Sequence, residues 1–139
     1  MKKVKIFLDY VDENNINRLE SVWAIPYGEN YKILNIPFLS KNIAFGDVVR
    51  VVEVDGLKKV DRLITASGNS TIQIIFFDPQ ENLITSNELS KMGCGWEGSH
   101  LDKLISVNVP KEVSYKKVKN YLDLKEKADL LSYREACIA

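Results

Sequence analysis

One stretch of ten residues concentrates the side chains that could carry out chemistry. Residues 91–100, KMGCGWEGSH, contain three glycines, a cysteine, a tryptophan, a glutamate and the chain's one histidine. Cys94 with His100 could form a thiol–base pair for nucleophilic catalysis. Cys94, Glu97 and His100 are spaced by three, which on a helix would place all three along one side as metal ligands.

The glycines argue against both kinds of site. Each glycine inside a helix costs about 1 kcal/mol relative to alanine, and on a strand a spacing of three alternates between faces. No Cys-x-x-Cys or paired histidines accompany the stretch, and no cysteine-protease signature surrounds Cys94. We therefore expect no catalytic residue, no metal and no cofactor here. Gly93 suits a left-handed helix cap, while Gly95 and Gly98 suit a bulge or a tight turn.

Recognition of a partner is the other chemistry that this stretch offers. Tryptophan is enriched at binding hot spots, and an adjacent glutamate would add a polar contact; packing in the core is the alternative for the tryptophan. A second polar turn, ASGNSTIQ, offers hydroxyl and amide groups around Gly68 to an anion, although its composition is also that of an ordinary turn. The candidate partner-binding residues are Trp96, Glu97, His100 and Asn69.

Composition limits the possible partners. The 139 residues carry 19 basic and 19 acidic side chains, so no long-range field draws the protein to nucleic acid or a membrane. Lysines at 111, 116, 117 and 119 leave RNA binding open as an alternative. No segment approaches the ~20 apolar residues that span a bilayer. Two cysteines are too few for a disulfide scaffold, so we expect reduced thiols and a cytoplasmic protein.

Alternating apolar residues predict that the first half of the chain consists of antiparallel strands. Asp55-Gly56 between two such runs is a strong hairpin signal, and the turn at residues 27–30 separates two others. We expect an antiparallel sheet or half-barrel from residues 1–67. The predicted strands are 4–10, 20–25, 31–36, 47–54 and 58–66.

The second half, residues 68–139, alternates strands with helices. Thr85 followed by Glu88 fits a capping box that would open a short helix through Met92. Ser114 is a plausible cap for a helix over 114–128. Predicted strands at 70–77, 94–98, 103–110 and 131–139 complete the order β-α-β-β-α-β. We therefore predict one α+β domain over residues 1–139, in which the first half packs on a ferredoxin-like second half.

Several phrases resemble a bacterial domain family of unknown function. They are ESVWAIPYGENYKILNIPF, IAFGDVVRV, ASGNSTIQI, GCGWEG and ISVNVP, spread over roughly residues 19–138. The resemblance implies a fold and a bacterial origin, and it implies no established activity. In that family His and Arg more often occupy the positions of Asn69 and Gln73, and this departure of the chain from the family pattern disfavours a catalytic dyad there.

These observations favour a non-catalytic intracellular protein that binds a protein partner. Its most concrete form is a bacterial immunity protein that neutralises a cognate toxin domain, an analogy with other small families of this kind. The alternatives are a small cysteine- or serine-dependent enzyme, using Cys94 with His100 or the turn at 67–71, and an RNA-binding domain.

Overall fold

The computed structural model describes residues 2–139 and has the predicted α+β architecture, with two mainly antiparallel sheets and two helices. The helices are α1 (Gln80–Lys91) and α2 (Tyr115–Lys127). The strands are β1 (Val4–Val11), β2 (Asn17–Tyr27), β3 (Asn30–Ile33), β4 (Val48–Val54), β5 (Leu57–Thr65), β6 (Ser70–Phe76), β7 (Gly95–Gly98), β8 (Leu104–Val109) and β9 (Leu131–Cys137).

Strands β1–β5 form a closed barrel, which goes beyond the predicted open sheet or half-barrel. Consecutive strands pair antiparallel, and the barrel closes where β1 meets β5 in parallel at Phe7 and Lys59. The predicted hairpin turn is confirmed, because Asp55 and Gly56 join β4 to β5 with φ of 52° and 80°. The barrel core consists of Ile6, Leu8, Val22, Ala24, Ile33, Ile43 and Val49.

Strands β6–β9 form a second sheet in the order β7-β8-β6-β9, with antiparallel neighbours throughout. Both helices pack on one face, where Leu89, Val118 and Leu122 are fully buried against the strands. Because strand side chains alternate between faces, the other face carries a separate set of residues and no helix. We call it the open face; its residues are Thr71, Gln73, Ile75, Glu97, Leu104, Ser106, Asn108, Ser132 and Arg134.

Helix α1 begins at Gln80, so the predicted capping box at Thr85 was wrong. Thr85 lies buried inside the helix, where its hydroxyl donates to Glu81. The pair Asp78-Pro79 both ends β6 and starts the helix. Proline is favoured at a helix start because its φ is already helical, and the Asp78 carboxylate accepts the amide of Gln80 at 3.0 Å.

The predicted helix ends at Gly93 and Ser114 are confirmed. Gly93, with φ of 100°, follows α1 in a Schellman motif, in which the Cys94 amide donates to Leu89 and the Gly93 amide to Ser90. Ser114 caps α2 by accepting the amide of Lys117 at 3.3 Å. No helix in residues 2–139 has the length and apolar character needed to cross a membrane.

Candidate partner-binding site

The connection between β3 and β4 lies across the open face and ties the barrel to the second sheet. It covers residues 34–47 without regular structure, and connections of this length in compact domains are usually functional or disordered. Here residues 42 and 43 of the connection are anchored to the second sheet. The Asn42 amide donates to the Ala136 carbonyl at 2.8 Å, and the Thr71 hydroxyl donates to the carbonyl of Ile43 at 3.2 Å.

Four polar side chains, one from each strand, align across the open face. The strand register pairs Glu97 with Ser106, Ser106 with Gln73, and Gln73 with Arg134. We call these four residues the polar row. Directly paired residues on one face have Cβ atoms about 5 Å apart, so the row presents a continuous line of hydrogen-bonding groups.

One end of the polar row binds the start of the β3–β4 connection. The Glu97 carboxylate accepts the Ile36 amide at 2.7 Å and the Asn35 side-chain amide at 3.0 Å. The Ser106 hydroxyl donates to the Ile36 carbonyl at 3.0 Å. Both backbone groups of Ile36 are therefore satisfied by side chains, which a buried segment outside a strand requires.

The other end of the polar row binds the following residues. The buried Gln73 amide donates to the carbonyls of Pro37 at 3.2 Å and Ser40 at 3.0 Å. Arg134 donates from Nη2 to the Leu39 carbonyl at 2.8 Å and from Nε to the Gln73 side-chain oxygen at 2.8 Å. The row thus recognises the main chain of the connection, and it holds Arg134 in one orientation.

A buried glutamate of the barrel holds the same residues from the opposite side. The Glu20 carboxylate of β2 accepts the amides of Phe38 at 2.6 Å, Leu39 at 3.1 Å and Ser40 at 2.9 Å, and the Ser40 hydroxyl at 2.8 Å. Hydrogen bonds to a carboxylate are among the stronger ones in proteins. The position of residues 38–40 is therefore fixed by both halves of the molecule.

Next to the polar row, the open face is left uncovered and forms a cleft of about 380 Å³ against the barrel. Its floor includes Ile75, which is 54% exposed, and Leu104. Phe38 and Leu39 line one side, and residues 10–13 at the tip of the β1–β2 hairpin line another. An apolar concavity with a few fixed polar groups, located between two structural units, has the usual character of a binding site.

The environment of Cys94 disfavours its use as a nucleophile. Its side chain is buried in the core under the helices, and burial raises the pKa of the thiol to about 11. The reactive thiolate is therefore scarce at neutral pH. His100 lies exposed in the turn between β7 and β8. Residues 2–139 contain no group of three or more His, Cys, Asp or Glu side chains that could hold a metal ion.

Trp96 and Glu97 point to opposite faces of β7. Trp96 is 40% exposed, and its Nε1 donates to the Ser90 hydroxyl of α1 at 3.2 Å. It lines a shallow groove together with Leu83 of α1. Glu97 instead faces the β3–β4 connection, so its carboxylate is already used within the molecule. The two neighbouring candidates therefore do not form one contact surface.

Asn69 and His100 lie near opposite ends of β8. Asn69 precedes β6 and bridges two loops, donating to the Phe45 carbonyl at 2.9 Å and accepting the Lys111 amide at 3.3 Å. His100 precedes β8, whose six residues separate the two sites by about 20 Å. The four candidates remain predictions as partner contacts, and they do not form one continuous surface on the molecule.

Residues that build the cleft were missed by the sequence interpretation. Gln73 of the cleft and Ser106 of the polar row are polar residues in the largely apolar strands β6 and β8, and their alternation with buried apolar residues is the signal that could have marked them as one face. Arg134 lies in a strand of mixed polarity, β9, which carries no such signal. The alignment of these residues depends on strand register. The placement of Ile75 in a cleft beside the β1–β2 hairpin depends on how the barrel packs against the second sheet. Neither is encoded in a local pattern.

Comparison with known proteins points to one family. Residues 20–133 match the family model described as Domain of unknown function (DUF4265), which confirms the predicted resemblance to such a family. A crystal structure described as that of a hypothetical protein from Neisseria gonorrhoeae is similar, with 30% sequence identity and a TM-score of 0.88. The match covers 100% of this chain and 97% of that chain. No curated protein matches the chain.

Proposed function

We propose that this chain, which belongs to the DUF4265 family, is a non-catalytic binding protein of the bacterial cytoplasm that holds a protein partner in the cleft. Its most concrete form is an immunity protein that binds and neutralises a cognate toxin domain. The observation that carries the proposal is the cleft itself, with an apolar floor at Ile75 and Leu104 beside the fixed side chains of Gln73 and Arg134.

The rigidity of the cleft supports this proposal. Residues 38–40 are held by Glu20 on one side and by the polar row on the other, so the wall of the cleft is formed before a partner arrives. A preformed surface loses less conformational entropy on binding. The burial and raised pKa of Cys94 disfavour the cysteine-enzyme alternative.

We also propose that the second half of the chain, residues 68–139, forms the ferredoxin-like unit that the sequence predicts. The order β6-α1-β7-β8-α2-β9 and the antiparallel sheet β7-β8-β6-β9 support this assignment. Placing both helices on one face leaves the other face free, and in this chain that free face contributes the cleft. The proposed binding function therefore uses a surface that the arrangement of helices makes available.

The test is affinity isolation of the tagged protein from its native organism, with three matched variants. Ile75→Glu places a charge on the cleft floor, at a position whose side chain is exposed, so folding is retained. Leu83→Glu makes the same kind of change at an exposed site on α1 (67% exposed). Trp96→Ala tests the groove beside α1.

We expect one stoichiometric partner that is retained by the wild type and by Leu83→Glu and is lost with Ile75→Glu. Loss with both Trp96→Ala and Leu83→Glu, but not with Ile75→Glu, would move the binding surface to the groove beside α1 that these two residues line, where an anchoring tryptophan is worth about 2 kcal/mol or more. If none of the three substitutions affected capture of the partner, neither the cleft nor the groove beside α1 would be its binding site.

A further inference from the structure

Arg134 carries a positive charge that nothing else in the cleft neutralises. Its guanidinium donates to the Gln73 side-chain oxygen from Nε and Nη2, and to the Leu39 carbonyl from Nη2. Both acceptors are uncharged. Within residues 2–139 no carboxylate forms an ion pair with Arg134, and Nη1 has no hydrogen-bond partner. Arginine has five N–H donors, so part of this capacity is left for a ligand.

The orientation of Arg134 is fixed before any ligand binds. Gln73, its main acceptor, is itself buried and bonded to the carbonyls of Pro37 and Ser40. Those residues belong to the segment that Glu20 anchors. A guanidinium held in this way loses little side-chain entropy when it forms a further hydrogen bond. The neighbouring groups thus position Arg134 and leave it available.

The acidic side chains that line the cleft do not compensate for the charge of Arg134. Asp12 pairs with Arg18 at 2.7 Å and accepts the amides of Asn14 and Ile16, and the hydrogen bond from Arg18 is the main reason that the pKa of Asp12 is lowered. The charge of Asp12 is therefore already matched within the hairpin. Glu13 is exposed on the hairpin tip and forms no ion pair with Arg134.

From this geometry we infer the chemistry of the bound segment, an inference that rests on the proposed function. The cleft recognises an acidic side chain next to an apolar one in a segment of the partner protein. The carboxylate binds Arg134, and the apolar side chain packs on Ile75 and Leu104. A volume of about 380 Å³ suits a few side chains, and a charge-assisted hydrogen bond to a guanidinium supplies specificity for the carboxylate.

The experiment selects peptides from a random-peptide phage library on the immobilised full chain. We expect selected peptides to be enriched in Asp or Glu adjacent to Leu, Ile, Val or Phe. A synthetic peptide of the consensus should bind Arg134→Gln about tenfold or more weakly than the wild type. The matched control is Arg62→Gln, which removes an exposed arginine of β5 that forms no ion pair within residues 2–139, and it should leave binding unchanged.

A second measurement guards against misfolding of Arg134→Gln. The consensus peptide is resynthesised with Gln in place of its acidic residue and titrated against the wild type, where the same loss is expected. One contrary result is that the selected peptides lack acidic enrichment and yet bind the wild type but not Ile75→Glu. That result would overturn the carboxylate inference and leave the proposed function intact. Selection of no peptide that depends on the cleft would also overturn the inference, while the partner isolation above decides the proposed function separately.

Discussion

At the scale of single residues, the side chains of the stretch 91–100 act mainly within the molecule. Glu97 satisfies the backbone of Ile36 and the side chain of Asn35, although its position beside a tryptophan suggested a partner contact. Cys94 fills the core under the helices. Trp96 alone combines exposure with an apolar surface. A charged or reactive side chain in a sequence therefore acquires its role from the groups that the fold brings to it.

The burial of Cys94 predicts that its thiol is alkylated slowly in the folded protein. In Cys137→Ala, where Cys94 is the only thiol, we expect alkylation by iodoacetamide at pH 8 to be about a hundredfold or more slower than in the urea-unfolded chain. The reason is that a pKa of about 11 leaves about one thousandth of the thiol ionised at that pH. The measurement is the alkylation rate followed by mass spectrometry.

The same pKa shift predicts a dependence of stability on pH. Because the folded-state pKa of Cys94 lies above the unfolded value of about 8.5, its contribution to the free energy of unfolding is complete below that pH. The contribution is lost as the pH rises toward about 11. Equal alkylation rates in the folded and unfolded chain would contradict both expectations and would restore the cysteine-enzyme alternative.

At the scale of secondary-structure elements, local signals and long-range contacts decide different boundaries. The end of α1 is set by Gly93, whose conformation permits the Schellman bonds. The start of α1 is set by Asp78-Pro79, and the capping-box residues Thr85 and Glu88 lie inside the helix. Two start signals were present in one segment, and the helix begins at the earlier one.

Gly93→Ala should lower the free energy of unfolding by about 1–3 kcal/mol, because alanine is strained at a φ of 100°. Its Cβ would also lie 3.0 Å from the Val113 side chain. The measurement is urea denaturation followed by circular dichroism. Gly98→Ala is the control from the same stretch, since an added Cβ there meets only Trp96 at 3.7 Å. A change within about 0.5 kcal/mol is expected for it, and equal effects of the two substitutions would refute the role given to Gly93.

At the scale of the whole molecule, the barrel and the second sheet are joined by the β3–β4 connection. Side chains from all four strands of the second sheet bond to its backbone, and Glu20 of the barrel binds the same segment. Loss of either half would leave buried amides and carbonyls without partners, at about 1–3 kcal/mol each. The two halves therefore depend on each other for stability.

This dependence predicts a single unfolding transition in both halves. Trp23 lies in the barrel and Trp96 in the second sheet, so Trp23→Phe and Trp96→Phe each leave one fluorescent reporter. We expect the change measured by each reporter to coincide with the loss of circular dichroism in the same variant. Glu97→Ala in either background should lower the free energy of unfolding by about 2 kcal/mol, and the denaturation midpoint should fall accordingly. A barrel reporter and a sheet reporter that respond differently to Glu97→Ala would indicate that the halves unfold independently.

The sequence by itself determined the α+β class, most of the strands, the second helix with its cap at Ser114, and the glycine that ends α1. These features depend on hydrophobic periodicity and turn chemistry among near neighbours. The tertiary structure alone decided the closure of the barrel at Phe7 and Lys59, the alignment of the polar row and the cleft beside Ile75. Each of these brings together residues from distant parts of the chain, and only the packing of one half against the other selects those pairs.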